Sequence, residues 1–292
     1  MILAPQDLSL LDTQQPVNWG HYLNGGLVSW WKVLPQWFGG STWRDLCNRN
    51  HGTLTNMDPA TDWVRGGHRG GSGALDFDGT NDYVSAPALD APFLGALTIS
   101  VWSRIDTGSN FRHFAGKHLS GGGTKNPFDY RTSNAAIPSL DFVRSNDTDA
   151  VGWRGPSVVL GEWKNYTVTH PGDIGIAPTF YVNGIPTVGT NIFGSGTGNP
   201  TGSGADIVMG RRDDGAVLLD GQLDDVRIYS RALSDSAVFN LYVESQKPAP
   251  ATLNYHNPAW MWAQAAAAGG GMLLRHPGMT GHMQELAGGM RA

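Results

Sequence analysis

The sequence predicts an all-β protein, a two-sheet antiparallel sandwich. Three observations predict it. Forty glycines and seventeen prolines stand in a 292-residue chain that is only 15% charged, a composition of many turns and few long helices. Short runs of alternating hydrophobicity recur through the middle of the chain, bounded by Gly, Asn, Asp or Pro. Asn183-Gly184 lies between two β-prone runs, where a two-residue hairpin needs positive φ at both central positions.

Residues 1–23 are aperiodic and read as an N-terminal arm. "GLVSWWKV" is the first strand signal, followed by loops and short strands through "DPATDWV". In "ALDFDGTNDYV" a short apolar strand runs into a Gly-Thr-Asn turn rich in aspartate. "LTISVWSRI" alternates cleanly, with Leu97, Ile99 and Val101 on one face and Thr98, Ser100, Trp102 and Arg104 on the other. "FRHFAGKH", "SLDFVRS", "KNYTVTH", "TFYVNG", "ADIVMGRR" and "LDDVRIYS" supply further strands, while "AVGWRGPS" reads as a loop. A short helix is predicted at "SDSAVFNLYVES", with Ser234 as its N-cap and Val238, Leu241 and Tyr242 on one face. The Pro/Ala stretch after Gln246 is a linker. Beyond it lies a partly helical tail carrying five of the eight methionines, so 247–292 is expected to dock on something.

In this order, "GLVSWW", "ALDFDGTNDYV", "LTISVWSRI", "WKNYTVTH", "FYVNGIP", "IVMGRRDDG" and "LDGQLDDVRIYSRALSDSAVFNLY" resemble laminin-G-like domains of the concanavalin A-like lectin/glucanase superfamily. The resemblance covers about 24–246. It implies a jelly roll of two curved sheets, carbohydrate or protein binding more often than catalysis, and a structural calcium near strand ends. The Trp-rich entry "SWWKVLPQWFGGSTWRDL" is similar to laminin-G-like structural proteins of tailed phages. That likeness implies a virion decoration or tail-associated protein with capsid or tail proteins as partners. A bacterial adhesin or lectin and an atypical glycosidase are the rival readings.

The chemistry turns on carboxylates. Glu162, Glu244 and Glu285 are the only glutamates, so aspartate supplies the rest of the 25 acids, and aspartate favours turns and metal loops. A retaining glycosidase needs two carboxyls about 5–5.5 Å apart; no Glu-x-Asp-x-x-Glu strand occurs, so no catalytic residue is expected. Strict alternation in "LDDVRIYS" puts Asp224 on the face of Val226 and Ile228, where a buried carboxylate must be paired, hydrogen-bonded or metal-bound. Asp224 with Asp78 and Asp82 is therefore the candidate calcium set; the other reading is that Asp78 and Asp82 bond their own turn and Asp224 caps neighbouring N–H groups. Trp102, Trp153, Arg154, Arg211 and Arg212 are the candidate glycan contacts, since sugar rings stack on aromatic faces beside polar groups. Trp19 and Trp37 are candidate subunit anchors.

Composition excludes other classes. A net charge of −5 without a Lys/Arg cluster gives no nucleic-acid footprint. No apolar run approaches the roughly eighteen residues of a membrane span. The N-terminus lacks the pattern of an ordinary signal peptide, which points to a virion, or to a bacterial surface reached without one. Cys47 is the single cysteine, so no intrachain disulfide forms, and a small buried hydrophobe is its expected role.

Overall fold

The computed structural model describes residues 17–34, 38–69, 73–118, 125–212 and 214–247. The first sixteen residues, Trp37, Asp213 and the apolar tail from Pro248 lie outside them. In chain order the strands are β1 (Leu27–Trp31), β2 (Thr42–Trp43), β3 (Gly52–Thr55), β4 (Trp63–Arg65), β5 (Gly73–Asp78) and β6 (Tyr83–Ala86). After them come β7 (Leu97–Ile105), β8 (His113–Lys117), β9 (Phe128–Thr132), β10 (Ser139–Ser145), β11 (Ala150–Ser157) and β12 (Lys164–His170). The last are β13 (Thr179–Val182), β14 (Ile185–Val188), β15 (Thr190–Phe193), β16 (Ile207–Met209) and β17 (Asp220–Tyr229), followed by the helix α1 (Asp235–Gln246).

Among the described residues the strands form two antiparallel sheets, consistent with the expected jelly roll. One runs β14-β13-β12-β7-β17-β5-β4, with β1 also on β17; the other runs β15-β11-β10-β9-β8-β16-β6-β3-β2. The apolar faces of both meet in a core that includes Ile99, Val101, Phe114, Tyr130, Phe142, Tyr166, Leu223, Val226 and Ile228. The β13–β14 hairpin turns at Asn183 (φ 51°) and Gly184 (φ 78°), as the Asn-Gly pair predicts. Ser234 caps α1 by accepting the Ala237 N–H, and Val238 and Leu241 are buried. "ALDFDGTNDYV" is not a hairpin: β5 lies in the first sheet and β6 in the second, so the turn at 79–82 carries the chain across the sandwich edge.

A second core covers the outer face of the first sheet. Val17, Leu23, Leu27, Trp30, Leu34, Leu46 and Cys47 pack there against Tyr181, Tyr229, Leu233, Val238 and Leu241. The described end of the arm is thus part of the domain. Trp19 stays half exposed, with the Arg49 guanidinium 5.4 Å from its ring centroid. Burial raises the Cys47 thiol far above its ordinary range, which keeps it protonated.

β17 holds the first sheet together. One side pairs with β7 along its length; the other pairs with β5 over Asp220–Leu223 and with β1 over Val226–Tyr229. At this change of partner the strand bulges: Asp224 faces Trp102 but Arg227 faces Ser100, leaving one extra residue on β17. Asp225 carries that bulge with φ 50°.

Candidate functional site

The bulge corrects the predicted parity of Asp224. Leu223, not Asp224, shares the inner face with Val226 and Ile228, because Asp225 takes up one residue of the alternation. Asp224 points to the outer face and is fully buried under the second layer. Its Oδ1 accepts the Val33 N–H at 2.9 Å, just past the end of β1, and its Oδ2 lies 2.8 Å from His68 Nδ1. Asp225 accepts from Trp30 Nε1 (2.6 Å), Lys32 Nζ (3.1 Å) and Arg227 Nε (2.6 Å). Burial alone would raise its carboxyl, but Arg227 and Lys32 hold it well below the usual range. The Asp-Asp pair therefore serves the backbone amide and the cations left where β5 gives way to β1.

The three carboxylates of the candidate calcium set do not converge. Asp78 lies opposite Asp220, four positions along β17 from Asp224. Asp78 Oδ1 accepts from Thr80 N at 2.7 Å, and Asp82 Oδ2 accepts from Asp78 N at 3.1 Å, so both bond their own turn. Burial pushes the Asp82 carboxyl up to about 6, and the charges of Asp78, Asp62 and Asp76 add to it. Among the described residues no three His, Cys, Asp or Glu side chains gather as metal ligands would.

The five candidate glycan contacts lie in four places. Trp102 is on the outer face of the first sheet, buried, stacked on His68 at 4.3 Å, with its indole N–H donated to Ser245 Oγ of α1. Trp153 is not in a loop. It lies in β11, 8% exposed, on the inner face, with its N–H donated to the Ile174 carbonyl. The glycines that suggested a loop make room for aromatic rings: a Cβ on Gly155 would lie 2.4 Å from the Phe180 ring, and one on Gly152 would lie 2.2 Å from Phe193. Arg211 stacks on Tyr83 at 3.6 Å, and Arg212 Nε donates to Asp214 at 2.9 Å. Tyr83 belongs to β6, five strand spacings or about 24 Å from β11. Arg154 lies on the outer face of the second sheet, where Arg212 reaches only the neighbouring Asp129.

What surrounds Arg154 is a built surface. Antiparallel pairing sets His113, Arg131, Asp141 and Arg154 in one row across β8, β9, β10 and β11. The next row holds Gly116, Asp129, Val143, Gly152 and Phe193. Arg154 grips Asp141 with both ends of its fork, Nε at 2.8 Å and a terminal nitrogen at 2.9 Å. Asp141 is buried, while 43% of the Arg154 side chain is exposed. Arg131 donates to Asp129 at 2.7 Å, and His113 lies 3.3 Å from the same carboxylate. Burial would raise Asp129, yet Arg131 and His113 hold it well below the usual range. Phe193, 42% exposed, lays its ring across Gly152 beside Arg154. An open aromatic ring next to a fixed polar fork is an arrangement that accepts a sugar ring on its face and donates hydrogen bonds to its oxygens.

Sequence reasoning found Arg154 and missed Phe193, Gly152 and Asp141. One signal was available: joined by a short turn at Asn146–Asp149, "SLDFVRS" and "AVGWRGPS" pair as a hairpin that sets Asp141 opposite Arg154.

Comparison with known proteins fits this architecture. A laminin-G-like family model, described as the Concanavalin A-like lectin/glucanases superfamily, matches residues 78–239. The chain belongs to that superfamily. No curated protein matches the sequence. Among solved structures, the chain is similar to Trypanosoma rangeli sialidase in complex with sialic acid, at 16% identity and TM-score 0.52, covering 76% of this chain and 33% of that one. It is also similar to the receptor binding domain of botulinum neurotoxin D, at 12% and 0.53, covering 76% and 54%. A third is the binding domain of Paraclostridial Mosquitocidal Protein 1, at 16% and 0.51, covering 75% and 52%. The chain therefore spans about a third of the sialidase and about half of each toxin domain, and at these identities the likeness is one of fold. In this chain "LDGQLDDVRIYS" supplies the strand that joins β7 to β5 and β1, together with its bulge.

Proposed function

We propose that this protein is a non-enzymatic carbohydrate-binding module whose ligand lies on the outer face of the second sheet, over β10, β11 and β15. The observation that carries the reading is the half-exposed Phe193 ring laid across Gly152 beside the Arg154–Asp141 pair. The superfamily's lectin-like character supports it. The carboxyls on this face support binding over hydrolysis. Glycoside hydrolysis needs an acid kept protonated near neutral pH, whereas Asp129 is held as a carboxylate by Arg131 and Asp141 is gripped by Arg154. Asp82, the carboxyl that burial raises, precedes β6 at the far side of the sheet.

Glycan arrays and a turnover assay test this. Phe193→Ala is expected to weaken binding by about 1–3 kcal/mol, the worth of a large aromatic contact, with the melting temperature unchanged and no sugar released by either protein. Release of reducing sugar by the wild type would replace this reading with a glycosidase. The setting proposed for the module is the surface or tail of a virion, with residues 247–292 as its attachment to capsid or tail proteins. Co-sedimentation with purified particles checks that, and is expected to be lost on truncation after Lys247.

A further inference from the structure

The polar fork beside Phe193 has a definite electrostatic character. Arg154 is bound through Nε and one terminal nitrogen to the two oxygens of Asp141. That leaves its other N–H groups as donors while the unit charge of the guanidinium is cancelled by a carboxylate in contact with it. The neighbouring pair repeats the pattern: Arg131 sits on Asp129, with the His113 ring close by. Asp141 and Arg131 are cross-strand neighbours, so the two pairs adjoin and their four charges sum to zero. The other candidate cations do not change this. Arg212 lies within the field of Asp129 but its charge is cancelled by Asp214, whose carboxylate accepts from its Nε at 2.9 Å, and Arg211 lies against Tyr83 some five strands from β11. The chain as a whole is acidic, with a net charge of −5.

We infer that the Phe193 site takes an uncharged sugar, a neutral hexose or N-acetylhexosamine unit, and discriminates against carboxylated or sulfated ones. This rests on the carbohydrate-binding reading above. A neutral hydroxyl or carbonyl oxygen accepts from the free N–H groups of Arg154 and loses little on leaving water. An anionic group gives up far more hydration on entering the site. The cancelled charge of the pair offers it no compensating field, and Asp141 lies directly behind the donor. Phe193 supplies the stacking surface, and the exposed Thr190, opposite Arg154 on β15, adds a hydroxyl. Asp141 is a positioning residue: it fixes the fork and removes its charge without reaching the ligand.

The test uses the full chain against immobilised neutral hexose and N-acetylhexosamine oligosaccharides and their uronate-, sialate- and sulfate-bearing counterparts. Wild type is expected to bind neutral probes only, with affinity changing less than about twofold between roughly 0.05 and 0.5 M salt. Phe193→Ala should weaken that binding by about 5- to 150-fold. Asp141→Asn keeps the shape and removes the opposing charge. It should weaken neutral binding at least tenfold and introduce salt-sensitive binding of acidic probes, a gain that mere misfolding does not produce. Acidic probes bound by wild type in a salt-sensitive way and lost in Phe193→Ala would overturn this inference and leave the carbohydrate site standing. Absence of any glycan binding, or binding indifferent to Phe193→Ala, would overturn both.

Discussion

His170 shows how one buried ring makes this fold sensitive to acid. Its Nδ1 accepts the Gly172 N–H at 3.0 Å and lies 3.1 Å from a terminal nitrogen of Arg144. Burial, then the Arg144 charge, pushes its pKa down to about 3. Arg144 is itself fully buried among the carbonyls of Pro127, Gly95, Gly172 and Phe93, and burial pushes it down to about 9. The folded state therefore binds the His170 proton more weakly than the unfolded chain, whose histidines titrate near 6.5. Its stabilising contribution is full above that value and is lost as pH falls towards 3, at about 1.4 kcal/mol per unit. In His170→Gln the slope of unfolding free energy between about pH 6 and 4 should flatten by that amount; an unchanged slope in urea titrations assigns the acid sensitivity to other groups. Trp153 gives a second residue-scale expectation. Trp153→Ala removes a core ring and should cost about 3–5 kcal/mol, whereas Phe193→Ala on the outer face should cost little stability and much binding. The sequence could not separate these two rings. The glycines around Trp153 are explained by Phe180 and Phe193, residues 25 and more positions away in the chain and brought near only by the sheets.

At the scale of an element, β17 explains why alternation failed at one step. Period two is a property of an unbroken ladder, and β17 changes partner from β5 to β1 in its middle. Local pattern therefore located the strand, its hydrophobic content and the helix that follows, but reversed Asp224. The left-handed backbone at Asp225 is tolerated by aspartate better than by a branched residue. The carboxylate is kept there by Trp30, Lys32 and Arg227. Asp225→Asn preserves the shape and leaves two buried cations without their counter-charge. The expected cost is about 3–5 kcal/mol, read from denaturant midpoints at pH 7. A loss below about 1 kcal/mol would mean that strand pairing alone holds the fork. The hairpin at Asn183-Gly184 is the opposite case, legible from two residues because the turn's dihedral demand is local.

At the scale of the whole domain, the described residues form three layers rather than two. Val17, Leu23, Leu34, Leu46 and Cys47 join α1 in a covering layer on the first sheet, and a polar stratum lies beneath it: His68 with Asp224, Lys32 and Arg227 with Asp225, and Trp102 with Ser245. Tyr242 of α1 stacks on Trp102 at 5.8 Å. Removing α1 would strip cover from an indole and a His–Asp pair whose side chains are now sealed from water. A chain ending at Ser230 would also lack Leu233, Val238 and Leu241, each worth about 1.5–3 kcal/mol of burial. That sum rivals the 5–15 kcal/mol that holds a typical domain together, so a chain ending at Ser230 should lose its cooperative melt. A chain ending at Lys247 retains both cores and the polar stratum and should keep a single cooperative melt. Circular dichroism melts of the two truncations side by side make the comparison. A sharp, high-temperature melt in the Ser230 truncation would reduce the covering layer to a veneer. The outer face of the second sheet, which carries Phe193 and the Arg154–Asp141 pair, lies opposite to all of it.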